Sequence, residues 1–248
     1  MASRTRTPSV EIVESRGVRS LHLGGAAIQS RQRLDRPWEL ALAYTRAMSA
    51  CLMLHPRPRE VLMIGLGGGS LATFILRHTR APRVTAVEIH PQVVAAARSM
   101  FGLPPDGPRL RVRVADGAEH VAAHPESADV ILLDAYLDGR QAERLASGRF
   151  YRQARAALRA GGILVVNCIA DEPALPAYLE CLGAVFGGRL LYARTPPDDN
   201  IVVFAFDGAL PELRSAALVR RAQALASRTG IGYPALLRRL RPAQDWRR

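Results

Sequence analysis

The alternation of apolar and polar positions divides this chain into short elements. Val61 to Ile64, Val84 to Ile89, Asp129 to Leu133 and Ile163 to Cys168 are compact apolar runs of the kind buried parallel strands need. Leu110 to Ala115 alternates apolar residues with arginine, which predicts a strand with one face better covered than the other. Helical spacing separates these runs. Ser70 to His78 places Leu71, Phe74 and Ile75 on one face, and His90-Pro91 starts a helix to Phe101 with Val93, Val94 and Ala97 inward. Ala118 to His124 is a short helix. Arg140 to Arg159 is largely helical, with an interruption at Ser147-Gly148 and a cap at Gly161-Gly162.

The ends of the chain read differently. Residues 1 to 9 carry no pattern and read as disordered. Val10 to Glu14, Val18 to Leu23 and Ala26 to Gln29 predict three short strands, followed by a polar link from Arg31 to Arg36. Pro37 to Leu54 predicts one helix, with Leu40, Ala43, Tyr44, Ala47, Met48, Cys51 and Leu52 along its apolar stripe. Pro173 to Phe186 is a further helix. Arg189 to Ala193 and Ile201 to Phe206 are strands whose connection is too short for a crossover helix, so they pair antiparallel. Leu210 to Thr229 and Pro234 to Leu240 are terminal helices. The sum is an α/β fold with a doubly wound, Rossmann-like, mostly parallel seven-stranded sheet, a C-terminal antiparallel hairpin and a small N-terminal β unit. The expected division is 1–35 for the β unit, 36–208 for the Rossmann-like domain and 209–248 for the C-terminal helices.

Composition narrows the function. The 248 residues carry a net charge of +12, all of it from arginine, because the chain has no lysine. The arginines are scattered without an aromatic stripe, which argues against nucleic acid as a partner. No apolar run is long enough to span a membrane and no signal core opens the chain, so a cytoplasmic protein is expected. Cys51, Cys168 and Cys181 are widely spaced, which points to reduced thiols. His120 and His124 stand one helical turn apart without a third ligand, so no metal is expected.

The chemistry concentrates in Glu60 to Leu71, E-V-L-M-I-G-L-G-G-G-S-L. A strand runs into Gly65, Gly67, Gly68 and Gly69 and then a helix, the opening of a nucleotide-binding βαβ unit. Glu88 ends the next strand, about twenty residues on, where an acid accepts from a ribose diol. Asp116, Asp134 and Asp138 follow at or beyond later strand ends. Each has a plain alternative: Asp116 as a helix cap, Asp138-Gly139 as a turn. Together they line one sheet edge, the edge at which open parallel sheets bind ligands. Such a cleft suits a sulfonium nucleoside. Glu88 would hold the ribose and Asp116 the exocyclic amine. Asp134 or Asp138 would take a proton from an attacking amine.

At this point the chain resembles the spermidine synthase (polyamine aminopropyltransferase) family, on a class I S-adenosylmethionine-dependent transferase fold. E-S-R-G-V-R-S-L-H-L-G-G-A-A-I-Q resembles the family's N-terminal β segment, H-P-R-P-R-E-V-L-M-I-G its lead into the glycine loop, and V-E-I-H-P its V-E-I-D. A-D-G-A resembles its G-D-G, and L-L-D-A-Y-L-D-G stands where its D-S-S/T-D-P loop stands. By this resemblance Glu88, Asp116 and Gly117 would contact the nucleoside; Gly65, Gly67, Gly68, Gly69, Ile89 and Asp134 complete the expected nucleoside site, and Gln29, Tyr44 and Tyr136 the expected acceptor site. The bland reading of Tyr44 is core filler with a satisfied hydroxyl.

Departures fall on the amine-handling positions. Gly68 replaces the acid of the family's G-G-G-D-G loop. Leu137 stands at the catalytic acid, with Asp138 one residue later. The helix motif Y-H/Q-E appears as Tyr44-Thr45-Arg46. An acid near the loop attracts the free amine of decarboxylated S-adenosylmethionine and repels the carboxylate of S-adenosylmethionine, so Gly68 weakens that discrimination. The resemblance tips the reading to aminopropyl transfer to a polyamine-type amine; the alternatives are methyl transfer from S-adenosylmethionine or a non-catalytic protein that retains the fold. An NAD-dependent oxidoreductase is disfavoured by the closing hairpin and by Ser70 at the third glycine position. The donor is accordingly decarboxylated S-adenosylmethionine or S-adenosylmethionine, the partner is a small-molecule amine or methyl acceptor, and the orphan β unit makes a homodimer an expectation.

Overall fold

A computed structural model describes residues 9–25, 28–80, 82–137, 140–141, 143–197 and 199–245. Its N-terminal strands β1 (Val10–Ser15), β2 (Val18–Leu23) and β3 (Ile28–Arg33) form an antiparallel sheet. Arg16 and Gly17 both take positive φ at the β1–β2 turn, which matches the twist of the flanking strands. The third strand runs on to Arg33, past the Gln29 end that its pattern suggested, so Arg31 to Arg33 of the expected link are strand. Ser30 and Gln32 face inward and are buried, so polar residues hold core positions there and mask the period. Gln32 Nε2 donates to the Phe101 carbonyl at 2.8 Å, and Leu21 packs with Ala96 and Phe101. The β unit therefore docks on its own main domain.

The helix expected over 37–54 is broken into α1 (Ala43–Met48) and α2 (Cys51–Leu54). Arg46 Nη1 donates to the carbonyls of Leu40 and Ala41 at 2.8 and 2.9 Å, which satisfies backbone that a continuous helix would have paired. Beyond it come β4 (Glu60–Ile64), α3 (Ser70–His78), β5 (Arg83–Glu88), α4 (Pro91–Ser99), β6 (Leu110–Val114), α5 (Gly117–Ala123) and β7 (Ala128–Leu133). After β7 comes a small hairpin, β8 (Tyr136–Leu137) with β9 (Arg140–Gln141), so the helix expected from Arg140 opens as strand, and its α-helix proper begins at Gly148. Then follow α6 (Gly148–Ala157), β10 (Leu158–Ile169), α7 (Leu175–Phe186), β11 (Leu190–Thr195), β12 (Asn200–Phe206), α8 (Ala216–Thr229), α9 (Tyr233–Arg239) and β13 (Arg241–Pro242). Gly161-Gly162 does not cap α6. That helix ends at Leu158, and the glycines lie in a register shift inside β10.

Among the described residues the main sheet has eight strands, in the order β13-β11-β12-β10-β7-β4-β5-β6. The strand beyond the expected seven is β13, whose two residues pair with β11 at the sheet edge. Strands β10, β7, β4, β5 and β6 are parallel, and β12 runs antiparallel between β10 and β11. Alternate residues feed two cores. Val61 and Met63 pack under α1 to α4, α8 and α9, whereas Leu62 and Ile64 pack under α5 to α7. The chain steps outward from β4 to β5 and β6 and then crosses back to β7 on the other side of β4, so the crevice opens at the carboxyl ends of β4 and β7. Among the described residues no helix is long and apolar enough to cross a membrane.

Candidate active site

The glycine loop sits against the residue that follows β7. Gly65 has φ +90°, and a Cβ there would lie 2.0 Å from the Asp134 carbonyl oxygen. Only glycine permits that approach. Its N–H donates to the Val87 carbonyl at 2.9 Å, and the Asp134 N–H donates to the Ile64 carbonyl at 2.9 Å, so β5, β4 and β7 are tied together at their ends. Gly67 lies against Ser30 and the Gln29 carbonyl, and Gly69 is the N-cap of α3. The Gly68 N–H donates to Ser30 Oγ at 2.7 Å. A Cβ at Gly68 would meet the Phe101 ring at 2.8 Å, so the direction a side chain would take there is filled by an aromatic face.

Glu88 is buried at the end of β5, and both carboxylate oxygens are anchored. Oε2 accepts from the Leu66 N–H and Oε1 from the His90 N–H, each at 3.0 Å. Each oxygen keeps a further lone pair free to accept. Its neighbour Ile89 is 56% exposed, a large apolar face at the cleft rim. Asp116 does cap α5, as its plain reading held: Oδ1 accepts from the N–H groups of Ala118 and Glu119 at 2.7 and 3.2 Å. Its Oδ2 accepts from Arg144 Nη1 at 2.6 Å. Gly117 begins that helix packed on Ile64, where a Cβ would approach Cγ2 to 2.4 Å.

Asp134 is the centre of the polar network. Desolvation pushes its carboxyl up to about 6; hydrogen bonds from Asn167 and Tyr44 pull it down, and the Glu88 carboxylate raises it. Asn167 Nδ2 donates to Asp134 Oδ1 at 2.9 Å. Tyr44 therefore lies on the buried stripe of α1 and also reaches the candidate base. The Tyr136 hydroxyl donates to the Asn167 carbonyl at 2.6 Å, and burial raises its phenol well above the usual range. Glu88, Asp134, Tyr44 and Tyr136 thus gather around the glycine loop, with Gln29 at its β3 side. Asp116 stands beyond β5, at the end of β6. Asp138 lies outside the described residues.

Four participants carried no local signal. Ser30 and Asn167 are buried polar residues within strands, Arg144 lies in a segment read as helix, and Asn200 lies in a segment read as a loop. His120 and His124 stack at 4.2 Å on α5, away from this cleft. The three cysteines are free thiols, and burial pushes Cys51 and Cys168 up to about 12.

A parallel sheet closed by an antiparallel hairpin, with a glycine loop after its central strand and acids at the strand ends, defines a Rossmann-like fold of the methyltransferase type. Residues 42–178 match the spermine/spermidine synthase domain. The polyamine aminopropyltransferase of Neisseria meningitidis serogroup A is 38% identical over 232 residues, which are 93% of this chain and 88% of the relative. The chain belongs to the spermine/spermidine synthase family. Among solved structures, a probable spermidine synthase from Corynebacterium glutamicum superposes with a TM-score of 0.73 at 19% identity, covering 87% of this chain and 84% of that one, and so shares the fold. Human methyltransferase-like protein 13, in complex with SAH, superposes at 0.66 with 28% identity, covering 83% of this chain and 96% of that one.

Proposed function

We propose that this protein transfers an aminopropyl group from decarboxylated S-adenosylmethionine to the amine of a polyamine-type acceptor. The observation that carries the reading is the Asp134 carboxyl beside the glycine loop, pushed up to about 6 and held between Asn167 and Tyr44. A base so tuned is ionised at neutral pH and still basic enough to take a proton. Membership of the family supports the class of donor and acceptor.

Glu88 would hold the ribose diol, Ile89 would lie along the adenine face, and Asp116 would accept from the exocyclic amine. Tyr44, Tyr136 and Gln29 would position the acceptor, with Asp138 as a second acid. The acceptor nitrogen forms a bond to the propyl carbon attached to sulfur. The carbon–sulfur bond breaks and its electron pair stays on sulfur, which leaves a neutral thioether nucleoside. The nitrogen proton passes to Asp134. No charged nucleophile has to be generated, so much of the rate comes from positioning the two reactants.

The test is to incubate purified protein with decarboxylated S-adenosylmethionine and a short diamine, and to follow products by mass spectrometry. Methylthioadenosine and the aminopropylated amine are expected in equal amounts. Formation of S-adenosylhomocysteine and a methylated amine from S-adenosylmethionine would overturn the proposal in favour of methyl transfer. Nucleoside binding without turnover of either donor would leave a non-catalytic member of the family.

A further inference from the structure

The ends of three adjacent strands carry a line of polar side chains. Val166 pairs with Leu133 in the parallel register of β10 and β7, so Asn167 and Asp134 are the next residues along each chain. On the other side Asn167 pairs with Val202 and Ile169 with Asn200, which makes Asn167 and Asn200 diagonal neighbours on one face. Asn200 Nδ2 donates to Asn167 Oδ1 at 2.9 Å, and Asn167 Nδ2 donates to Asp134 Oδ1 at 2.9 Å. The Tyr136 hydroxyl holds the Asn167 backbone, and the Asn200 carbonyl accepts from Thr195 Oγ1 at 3.0 Å.

An asparagine amide has a donor end and an acceptor end of nearly equal size. Buried beside Asp134, Asn167 could present its N–H to the carboxylate or its oxygen to the protonated acid. We infer that Asn200 is a positioning residue: by donating to Asn167 Oδ1 it fixes that amide so that Asn167 presents its N–H, and not its oxygen, to Asp134. The inference rests on the reading of Asp134 as the base, and it names what keeps that base ionised. The other groups facing Asp134 among the described residues are Tyr44 from α1, Glu88 from β5 and Tyr136 from β8. Of these only Tyr44 donates to the carboxylate and favours its ionised form, so the Asn167 donor is one of two.

The discriminating variant is Asn200→Asp. A carboxylate at 200 accepts from Asn167 Nδ2, turns the amide over and sets its oxygen against Asp134. The Asp134 titration midpoint, read from the side-chain carboxyl 13C shift in aspartate-labelled protein without substrate and assigned with Asp134→Asn, is expected to rise by about one unit. The added charge also raises it, so the same substitution is made in an Asn167→Ala background, where no amide remains to turn. There the increment should be less than half as large. Equal increments in the two backgrounds, or an unmoved midpoint in Asn200→Asp, would overturn the inference. Asn200→Leu removes the lock without adding charge and serves if the aspartate variant does not fold; an unmoved midpoint there would also overturn it. The acid limb of kcat/KM should move with the midpoint, with about tenfold lower activity per unit on that limb. A shifted midpoint in a protein that transfers no aminopropyl group would sink the proposed function and spare the relay. Normal transfer with no shift would do the reverse.

Discussion

The carbonyl oxygen of Asp134 occupies the place a Gly65 side chain would take, 2.0 Å from the Cβ position. The glycine loop and the candidate base are therefore positioned by one contact. Gly65→Ala adds a backbone clash to a φ of +90° that side chains rarely adopt. It should cost about 2–4 kcal/mol of unfolding free energy and abolish nucleoside binding. Urea denaturation and calorimetry with methylthioadenosine check both parts.

Asp134→Asn removes the base but keeps the shape. Transfer should fall by about 10²–10⁴ with little change in nucleoside affinity. The native enzyme should lose activity as pH falls through about 6, where Asp134 takes up its proton. The stability sign is opposite to that of a salt-bridged acid. The folded-state value lies above the unfolded one, so the contribution of Asp134 is fully present below the ordinary carboxylate range and is lost as pH rises through about 6. Asp134→Asn should accordingly melt higher than the native protein at pH 8, with the advantage disappearing near pH 4. A melting series across pH tests this.

Ser30 connects the N-terminal sheet to the glycine loop. Ser30→Ala leaves the buried Gly68 N–H without its 2.7 Å acceptor, at a cost of about 1–3 kcal/mol. Hydrogen exchange at Gly68 should accelerate, and nucleoside affinity should drop several-fold. Unchanged exchange would mean that the loop holds its shape alone.

The Arg144–Asp116 ion pair and the Asp116 cap can be separated. Arg144 is 66% exposed, so Arg144→Ala should change stability by less than about 1 kcal/mol, with the difference shrinking in high salt. Asp116→Ala removes the cap of α5 as well and should cost about 1 kcal/mol in any salt. Denaturation of both variants at low and high ionic strength distinguishes the two contributions.

The helix Ser70–His78 was legible because its side chains obey the period that one buried face imposes, and the parallel core strands because burial on both faces makes them continuous apolar runs. Glu88 and Asp134 were legible because they end such strands, and the glycine loop because only glycine serves at Gly65. Strand β3 was not legible: Ser30 and Gln32 point inward to satisfy Gly68 and Phe101, so polar residues occupy its core positions. The late start of α1 goes with Arg46 reaching back to the Leu40 and Ala41 carbonyls, and β13 exists only because β11 offers it an open edge.

Local pattern thus determined the glycine loop, the core strands and helices around it and which acids stand at the sheet edge, since apolar runs, periodicity and strand ends are properties of neighbours in sequence. Tertiary structure alone decided that Asn200, Asn167 and Asp134 form a line. Their alignment comes from strand register, which joins residues 33 positions apart at each step by hydrogen bonds that no local pattern encodes.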